Sequence, residues 1–145
     1  MSRHSIKVLF LCTGNSCRSQ MAEGLINHDL GDRVQVCSAG LIQSYVHPKA
    51  IQVMKEIGID ISHHRSKHFK KFEGQSFDCV ITLCDEAREV CPVFPGAAQQ
   101  HHCGFMDPVT ASGSEDQILA VFRKVRDKIH EEVVSWLKER LSTSH

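Results

Sequence analysis

Short apolar runs along this chain alternate with longer segments typical of helices, and in the last of these the apolar residues recur at helical spacing. Residues 6–11, 34–38 and 77–83 are mostly apolar over the length of one strand, which is typical of strands covered on both faces. A fourth strand is less clear and is predicted near residues 100–104. Strands that alternate with helices in this way predict a parallel sheet between helical layers.

The longer segments predict three main helices. Residues 18–30 form the first, with a glycine behind it, and residues 48–57 form the second, with a proline at its start and a glycine behind it. The last runs from residue 114 to about 141, with acidic residues in its first turn. Since repeats and linkers are absent from the sequence, we predict one three-layer α/β domain over residues 1–145, with a four-stranded parallel sheet and helices on both faces.

The charges of the chain balance, with 17 lysines and arginines against 17 aspartates and glutamates in 145 residues. A zero net charge argues against a broad electrostatic partner, so neither nucleic acid nor an anionic membrane is expected. No apolar run approaches the roughly 20 residues of a membrane helix. The apolar run at residues 8–11 is too short for a signal-peptide core. We therefore expect a cytoplasmic protein, and we expect a monomer.

The chain contains seven cysteines, an odd number that cannot pair completely within the chain. In a reducing compartment, cysteines are more often buried, catalytic or metal-binding than structurally paired. The sequence has no Cys-x-x-Cys, and the adjacent histidines at 63–64 and 101–102 cannot easily point to one ion. A structural zinc site has more closely paired ligands, so no metal centre is expected.

The loop after the first strand has the most unusual sequence in the chain, Cys-Thr-Gly-Asn-Ser-Cys-Arg-Ser at residues 12–19. In parallel sheets, ligands bind where such loops enter helices. Gly14 and Asn15 tolerate a positive φ, which turns successive N–H groups inward beside the free N–H groups of the next helix. Arg18 adds a planar fork suited to a tetrahedral oxyanion. The predicted anion-binding residues are Thr13, Gly14, Asn15, Ser16, Cys17 and Arg18.

Cys12 is the predicted nucleophile. At the floor of a positive pocket its thiolate is favoured at neutral pH and can attack the central atom of a bound oxyanion, while Ser19 can donate a hydrogen bond to its sulfur. The leaving oxygen needs an acid that the loop lacks, and the best candidate is Asp107, held by Pro108 in a turn. The alternatives are a structural cysteine in a tight turn and an Asp-Pro that only breaks a loop. The nucleotide-binding pattern Gly-x4-Gly-Lys-Ser/Thr is absent from the sequence.

The string Cys12-Thr-Gly-Asn-Ser-Cys-Arg-Ser-Gln-Met-Ala-Glu-Gly24 closely resembles the thioredoxin-coupled arsenate reductase family, which shares its fold and anion loop with low-molecular-weight tyrosine phosphatases. The resemblance extends over nearly the whole chain, through residues 38–40, 47–50, 58–62, 80–84, 91–92, 102–108 and 122–127. It implies that Asp107 is the general acid and that Cys84 and Cys91 are shuttle cysteines. It also implies arsenate as substrate, with phosphate or sulfate as mimics, and thioredoxin as the source of electrons, with no tightly bound cofactor.

The implied reaction is a relay of three cysteines. Cys12 attacks arsenate, Cys84 then attacks the Cys12 sulfur and releases arsenite, and Cys91 attacks Cys84 to leave a Cys84–Cys91 disulfide. Each transfer requires two sulfurs to approach closely. The segment at residues 85–90 is therefore predicted to be a short helix that moves outward on oxidation.

Two positions depart from the family pattern. Lys67 stands where many members have an aspartate that helps to hold potassium, which leaves Asn15, Glu23 and Ser38 as weak potassium candidates. Either the ammonium replaces the cation or the site is absent, and tight potassium binding is not expected. Cys103 stands where tryptophan is usual, as a small buried residue or as an off-pathway disulfide partner.

Two other functions remain as alternatives. A tyrosine phosphatase needs Cys12, Arg18 and an acid but has no use for Cys84 and Cys91. Phosphatase-like members also tend to have proline and tyrosine where this chain has Gln20 and Val109. A non-catalytic redox sensor would use the cysteines as a switch but needs no acid.

Overall fold

The computed structural model describes residues 6–90 and 99–143, without the side chains of Val90 and Thr143. Its strands are β1 (Ile6–Cys12), β2 (Val34–Gly40), β3 (Cys79–Thr82) and β4 (Gln99–His102). Its α-helices are α1 (Arg18–Leu30), α2 (Pro48–Lys55), α3 (Asp85–Val90) and α4 (Glu115–Thr143). Short 3₁₀ turns lie at Phe69–Phe72 and Pro108–Thr110.

The four strands form a parallel sheet in the order β2-β1-β3-β4. Every residue of β1 except Lys7 is buried. Because successive side chains of a strand point to opposite faces, burial of the whole strand means that both faces of the sheet are covered. The predicted α/β fold is confirmed. The central position of β1 places the loop that follows it at the middle of the sheet edge.

Several element boundaries differ from the predicted ones. β2 extends to Gly40, because its last residues continue to pair with Leu11 and Cys12. A Cβ at Gly40 would lie 2.7 Å from the Asn15 amide nitrogen, so the anion loop crosses directly over this glycine. β3 is shorter than predicted, and α2 ends at Lys55, where a turn reaches Gly58 at φ 80°.

The two long helices begin with different capping arrangements. Before α4, the Ser114 hydroxyl accepts from the Gln117 amide while the Gln117 side chain accepts from the Ser114 amide, so the two residues form a capping box. At α1, the capping residue Cys17 makes no side-chain capping bond, and the first turn contains no acidic residue. The free N–H groups at the start of α1 are therefore left for an anion.

Candidate active site

The anion loop is held in place by the side chain of Asn15, which is completely buried. Asn15 has φ 49°, the left-handed conformation predicted to be tolerated there, whereas Gly14 does not need a positive φ. The Asn15 amide group donates to Ser19 (2.7 Å) and Ser38 (3.0 Å). Its Oδ1 accepts from the Lys67 amide (2.8 Å) and from Gln20 Nε2 (2.9 Å). One side chain thus fixes the loop to α1, to β2 and to the segment before the first 3₁₀ turn.

The nucleophile candidate Cys12 lies at the end of β1 and is 2% exposed. Its Sγ is 2.8 Å from Ser19 Oγ. The Ser19 hydroxyl already accepts a hydrogen bond from Asn15 Nδ2, so its own proton is free to point at sulfur. A hydroxyl that donates to sulfur favours the thiolate.

Arg18 and Asp107 meet at the mouth of this loop. The Arg18 guanidinium donates to the Phe105 carbonyl (3.1 Å) and lies 3.4 Å from Asp107 Oδ2, with the arginine buried and the aspartate partly exposed. The other Asp107 oxygen accepts from the Val109 amide (3.0 Å) at the turn that Pro108 begins. The sequence-predicted fork and acid therefore lie side by side, although they are separated by most of the chain.

The resulting pocket has a volume of about 240 Å³ and is lined by the predicted residues Cys12, Thr13, Gly14, Ser16, Cys17, Arg18 and Asp107. Sequence reasoning missed Ser44, Tyr45 and His47, which also line it. His47 caps α2 by accepting from the Lys49 amide, and its own amide donates to the Ser16 carbonyl. Burial, and then the Lys49 cation, lowers the pKa of His47, so its ring is neutral near pH 7. The sequence signal for the capping role of His47 was the His-Pro pair at the start of α2.

Cys84 lies beside the anion loop, just beyond the end of β3. Its Sγ is 3.3 Å from Thr13 Oγ1 and 3.4 Å from the Ala87 amide in the first turn of α3. A second opening is lined by Arg18, Cys84, Asp85, Glu86, Gly104 and Phe105, although Cys84 itself is buried. Arg18 lines both openings, so it borders the regions of both cysteines. Cys91, the third predicted relay cysteine, lies outside the described residues.

The short helix α3 is present as predicted and is attached to the neighbouring strand. Asp85 Oδ1, in its first residue, lies 3.2 Å from His102 Nε2 in β4. The other ring nitrogen of His102 is bonded to Thr82 Oγ1 (2.9 Å). Asp85 also lies 3.6 Å from Arg88. The sequence did not predict the contact between Asp85 and His102, because the two residues are 17 positions apart and meet through the sheet.

The other described cysteines do not have the surroundings of reactive thiols. Burial raises the pKa of Cys17 to about 12 and that of Cys103 to about 11. Burial also raises the pKa values of Cys37 and Cys79. Thiols with raised pKa values remain protonated at neutral pH and react slowly. Cys103 is half-buried against the core with Glu132 as its charged neighbour, which favours a packing role.

The weak potassium candidates form a cluster closed by protein hydrogen bonds. Ser38 donates to Glu23 Oε1 (2.5 Å) and accepts from Asn15, while both lone pairs of Asn15 Oδ1 are used by protein donors. The Lys67 ammonium donates to the Arg65 carbonyl at 2.6 Å. Oxygens that already take part in protein hydrogen bonds are poor cation ligands. This supports the prediction that potassium does not bind tightly. Among residues 6–90 and 99–143, no cluster of at least three histidine, cysteine or carboxylate side chains is arranged to hold a metal.

Gln20 also supports the anion loop, a role that the sequence did not predict for it. It is completely buried, and its amide nitrogen donates to Asn15 and to the Arg65 carbonyl (2.9 Å). Its Oε1 is 2.9 Å from His64 Nδ1, which must be the donor because an amide oxygen cannot donate. Gln20 thereby connects the anion loop to the segment around His64, a role that proline at this position could not perform.

The sequence model of the family described as low molecular weight phosphotyrosine protein phosphatase matches residues 7–144. The chain belongs to this family. Within the family it is similar to arsenate reductases. It is 50% identical over 122 residues to "Arsenate reductase" of Halalkalibacterium halodurans, and the match covers 84% of this chain and 88% of that protein.

Solved structures described as arsenate reductases also match this chain. One, described as an arsenate reductase in the phosphate binding state, matches with a TM-score of 0.80 and 37% identity, covering 92% of this chain and 98% of that one. A second, described as a thioredoxin-dependent arsenate reductase of Corynebacterium glutamicum, matches with a TM-score of 0.66 and 26% identity. That match covers 100% of this chain and 66% of the other. In the part of the chain that the structure describes, no helix has both the length and the apolarity required to cross a membrane.

Proposed function

We propose that this protein reduces arsenate to arsenite through the three-cysteine relay of Cys12, Cys84 and Cys91, with thioredoxin as the reductant. One observation carries the proposal: Thr13, the residue after the nucleophile, is within hydrogen-bonding distance of Cys84. A second thiol next to the anion loop is needed for reduction and has no role in phosphoester hydrolysis. The 50% identity to a protein named arsenate reductase supports this assignment.

In the first step, the Cys12 thiolate attacks arsenic of an arsenate held by Arg18 and the loop N–H groups. A sulfur–arsenic bond forms, an arsenic–oxygen bond breaks, and Asp107 protonates the departing oxygen, which leaves as water. Ser19 donates to the Cys12 sulfur before the attack and again when that sulfur becomes a leaving group.

In the second step, the Cys84 thiolate attacks the Cys12 sulfur. A disulfide forms, and the electron pair of the sulfur–arsenic bond moves to arsenic, which leaves as arsenite. Cys91 then attacks Cys84, which frees Cys12 and leaves a Cys84–Cys91 disulfide for the two thiols of thioredoxin to reduce. The name of the Corynebacterium glutamicum neighbour, a thioredoxin-dependent arsenate reductase, supports thioredoxin as the reductant.

The test is arsenate-dependent NADPH consumption with thioredoxin and thioredoxin reductase. Steady turnover that disappears without thioredoxin is expected. Cys84→Ser should abolish it, whereas Cys103→Ser, which removes a thiol with a raised pKa, should leave it nearly unchanged. Arsenate-dependent turnover by Cys84→Ser would contradict the relay.

The second candidate function is protein tyrosine phosphatase activity, which the family match favours. Its chemistry needs Cys12, Arg18 and Asp107, which the structure brings together. Arsenate and phosphate have the same shape and charge, so a weak phosphatase activity is compatible with reduction. Hydrolysis of an aryl phosphate at equal rates by the wild type and Cys84→Ser, without arsenate turnover by either, would select this alternative.

A further inference from the structure

A second and larger concave pocket, which we call the basic pocket, lies next to the catalytic one. It opens between the loop after β2 and the segment before the first 3₁₀ turn, and its volume is about 480 Å³ against about 240 Å³ for the catalytic pocket. Ser44 and Tyr45 line both, so the two pockets share a rim. The Tyr45 ring on this rim is 63% exposed.

The basic pocket concentrates positive charge in a chain whose net charge is zero. Arg65, Lys67 and Lys71 line it together with His64 and His68, and none of its described lining residues is acidic. The carboxylate that acts most strongly on Lys67 is Glu23, which is already bonded to Ser38. Burial lowers the pKa of the Lys67 ammonium, and the Lys71 cation lowers it further. A bound anion would act against both effects by favouring the charged ammonium.

The wall of the basic pocket is rigid, because it is bonded to the catalytic loop. The Ser66 hydroxyl donates to the Gly14 carbonyl (2.9 Å) and accepts from the Ser44 amide (2.8 Å). The Lys67 amide donates to Asn15 Oδ1, and the Lys67 carbonyl accepts from the Gly40 amide (2.8 Å). The main chain that carries the cations therefore needs no rearrangement to receive a ligand, which reduces the entropy lost on binding.

We propose that the basic pocket binds a second tetrahedral dianion, at a site separate from the one over Cys12. Arg65 and Lys71 are exposed and supply the charged donors, while the shared rim at Ser44 and Tyr45 joins the two sites. The ligand is a phosphate-type group. It is either a free oxyanion that is concentrated at the mouth of the catalytic pocket or the second phosphate of a small molecule whose first phosphate lies over Cys12.

The test is a titration of the reduced, full-length protein with inorganic phosphate, followed by amide NMR shifts. Two sets of shifts are expected, one at residues 13–19 and another at residues 65–71. Arg65→Ala/Lys71→Ala should weaken the second about tenfold or more, the loss expected for one charge-assisted hydrogen bond, and spare the first. The matched control Lys70→Ala/Lys138→Ala removes two exposed positive charges that do not line the pocket and should change neither.

Two further arms distinguish the sources of the dianion. For a free oxyanion, Arg18→Ala should lose the shifts at residues 13–19 and keep those at 65–71. For a bridging molecule, 1,3-propanediol bisphosphate should bind more tightly than phosphate, and that gain should disappear in both Arg18→Ala and Arg65→Ala/Lys71→Ala. The proposal is overturned if residues 65–71 show no saturable shifts with either probe, or if the control variant loses them equally. Because the readout is binding, it does not depend on the proposed reduction.

Discussion

At the residue scale, the Ser19 hydroxyl is in direct contact with the sulfur of Cys12, the candidate nucleophile. Its proton is free for the Cys12 sulfur because Asn15 already donates to its oxygen. Ser19→Ala should lower the rate of Cys12 alkylation by iodoacetamide about tenfold at neutral pH, the loss expected when a hydrogen bond to a charged group is removed. Mass spectrometry of the modified peptide measures this rate. Ser62→Ala, at an exposed site, should leave it unchanged.

His64 provides the pH prediction at the same scale. Burial lowers its pKa from 6.5, although Glu23 acts in the opposite direction. The unfolded chain therefore takes up this proton at a higher pH than the folded protein. The contribution of neutral His64 to the free energy of unfolding is complete above about pH 6.5. It is lost as the pH falls towards the lowered pKa of His64 in the folded protein.

Urea denaturation between pH 8 and pH 5.5 measures this effect. The free energy of unfolding of the wild type should fall towards acid pH. His64→Gln, which keeps a donor for Gln20 but does not titrate, should show a shallower fall. An identical pH dependence in both proteins would contradict the assignment of the effect to His64. Burial also lowers the pKa values of His47 and His101, so part of the fall will remain.

At the element scale, α3 is the helix that the proposed relay would displace, and Asp85 attaches its first turn to His102. Asp85→Asn weakens this contact and should raise the amide hydrogen-exchange rates of residues 86–90 in the reduced protein. An increase of about two- to fivefold is expected, since Asp85 is largely exposed and such pairs are worth little. Glu86→Gln removes a charge from the same turn but not this contact, so it should have a smaller effect.

Hydrogen exchange of residues 84–91 tests whether the proposed relay moves α3. If the proposed outward motion occurs, residues 84–91 should exchange faster in the oxidised protein than in the reduced one. Equal protection in the two states would contradict the motion. Cys84→Ser, which cannot form the final disulfide, should show no such difference between oxidising and reducing conditions.

At the scale of the whole molecule, Arg126 joins α4 to α2. It is 8% exposed, and its guanidinium donates to the Val53 carbonyl (2.7 Å) and to Glu56 (3.0 Å). Arg126→Met should lower the free energy of unfolding by about 1–3 kcal/mol, because the buried Val53 carbonyl loses a charged donor. Arg123→Met, which removes an exposed partner of the same glutamate, should cost less. Thermal and urea unfolding of both variants measure the difference.

The sequence by itself predicted the order of the main helices and strands and the position of the candidate anion loop. Helix α1 begins and ends at the predicted residues, between the anion loop and Gly31. Helix α4 begins one residue after its predicted start, because its apolar spacing and its capping box lie in neighbouring residues. The anion loop was recognisable for the same reason, since its glycine, asparagine and arginine lie within one short stretch. The sequence offered Asp107 only as a candidate acid beside Pro108, and the family resemblance implied the role of general acid, which stays a prediction.

Only the tertiary structure decided which distant groups support that centre. β4 was hard to predict because Gln99–His102 is polar and partly exposed. Gln20 and His64 meet across 44 positions, and Asp85 and His102 meet through adjacent strands. The basic pocket arises because the loop after β2 folds beside a segment some 20 residues later. Such contacts follow from the packing of the whole chain, and local patterns of apolar and polar residues do not encode them.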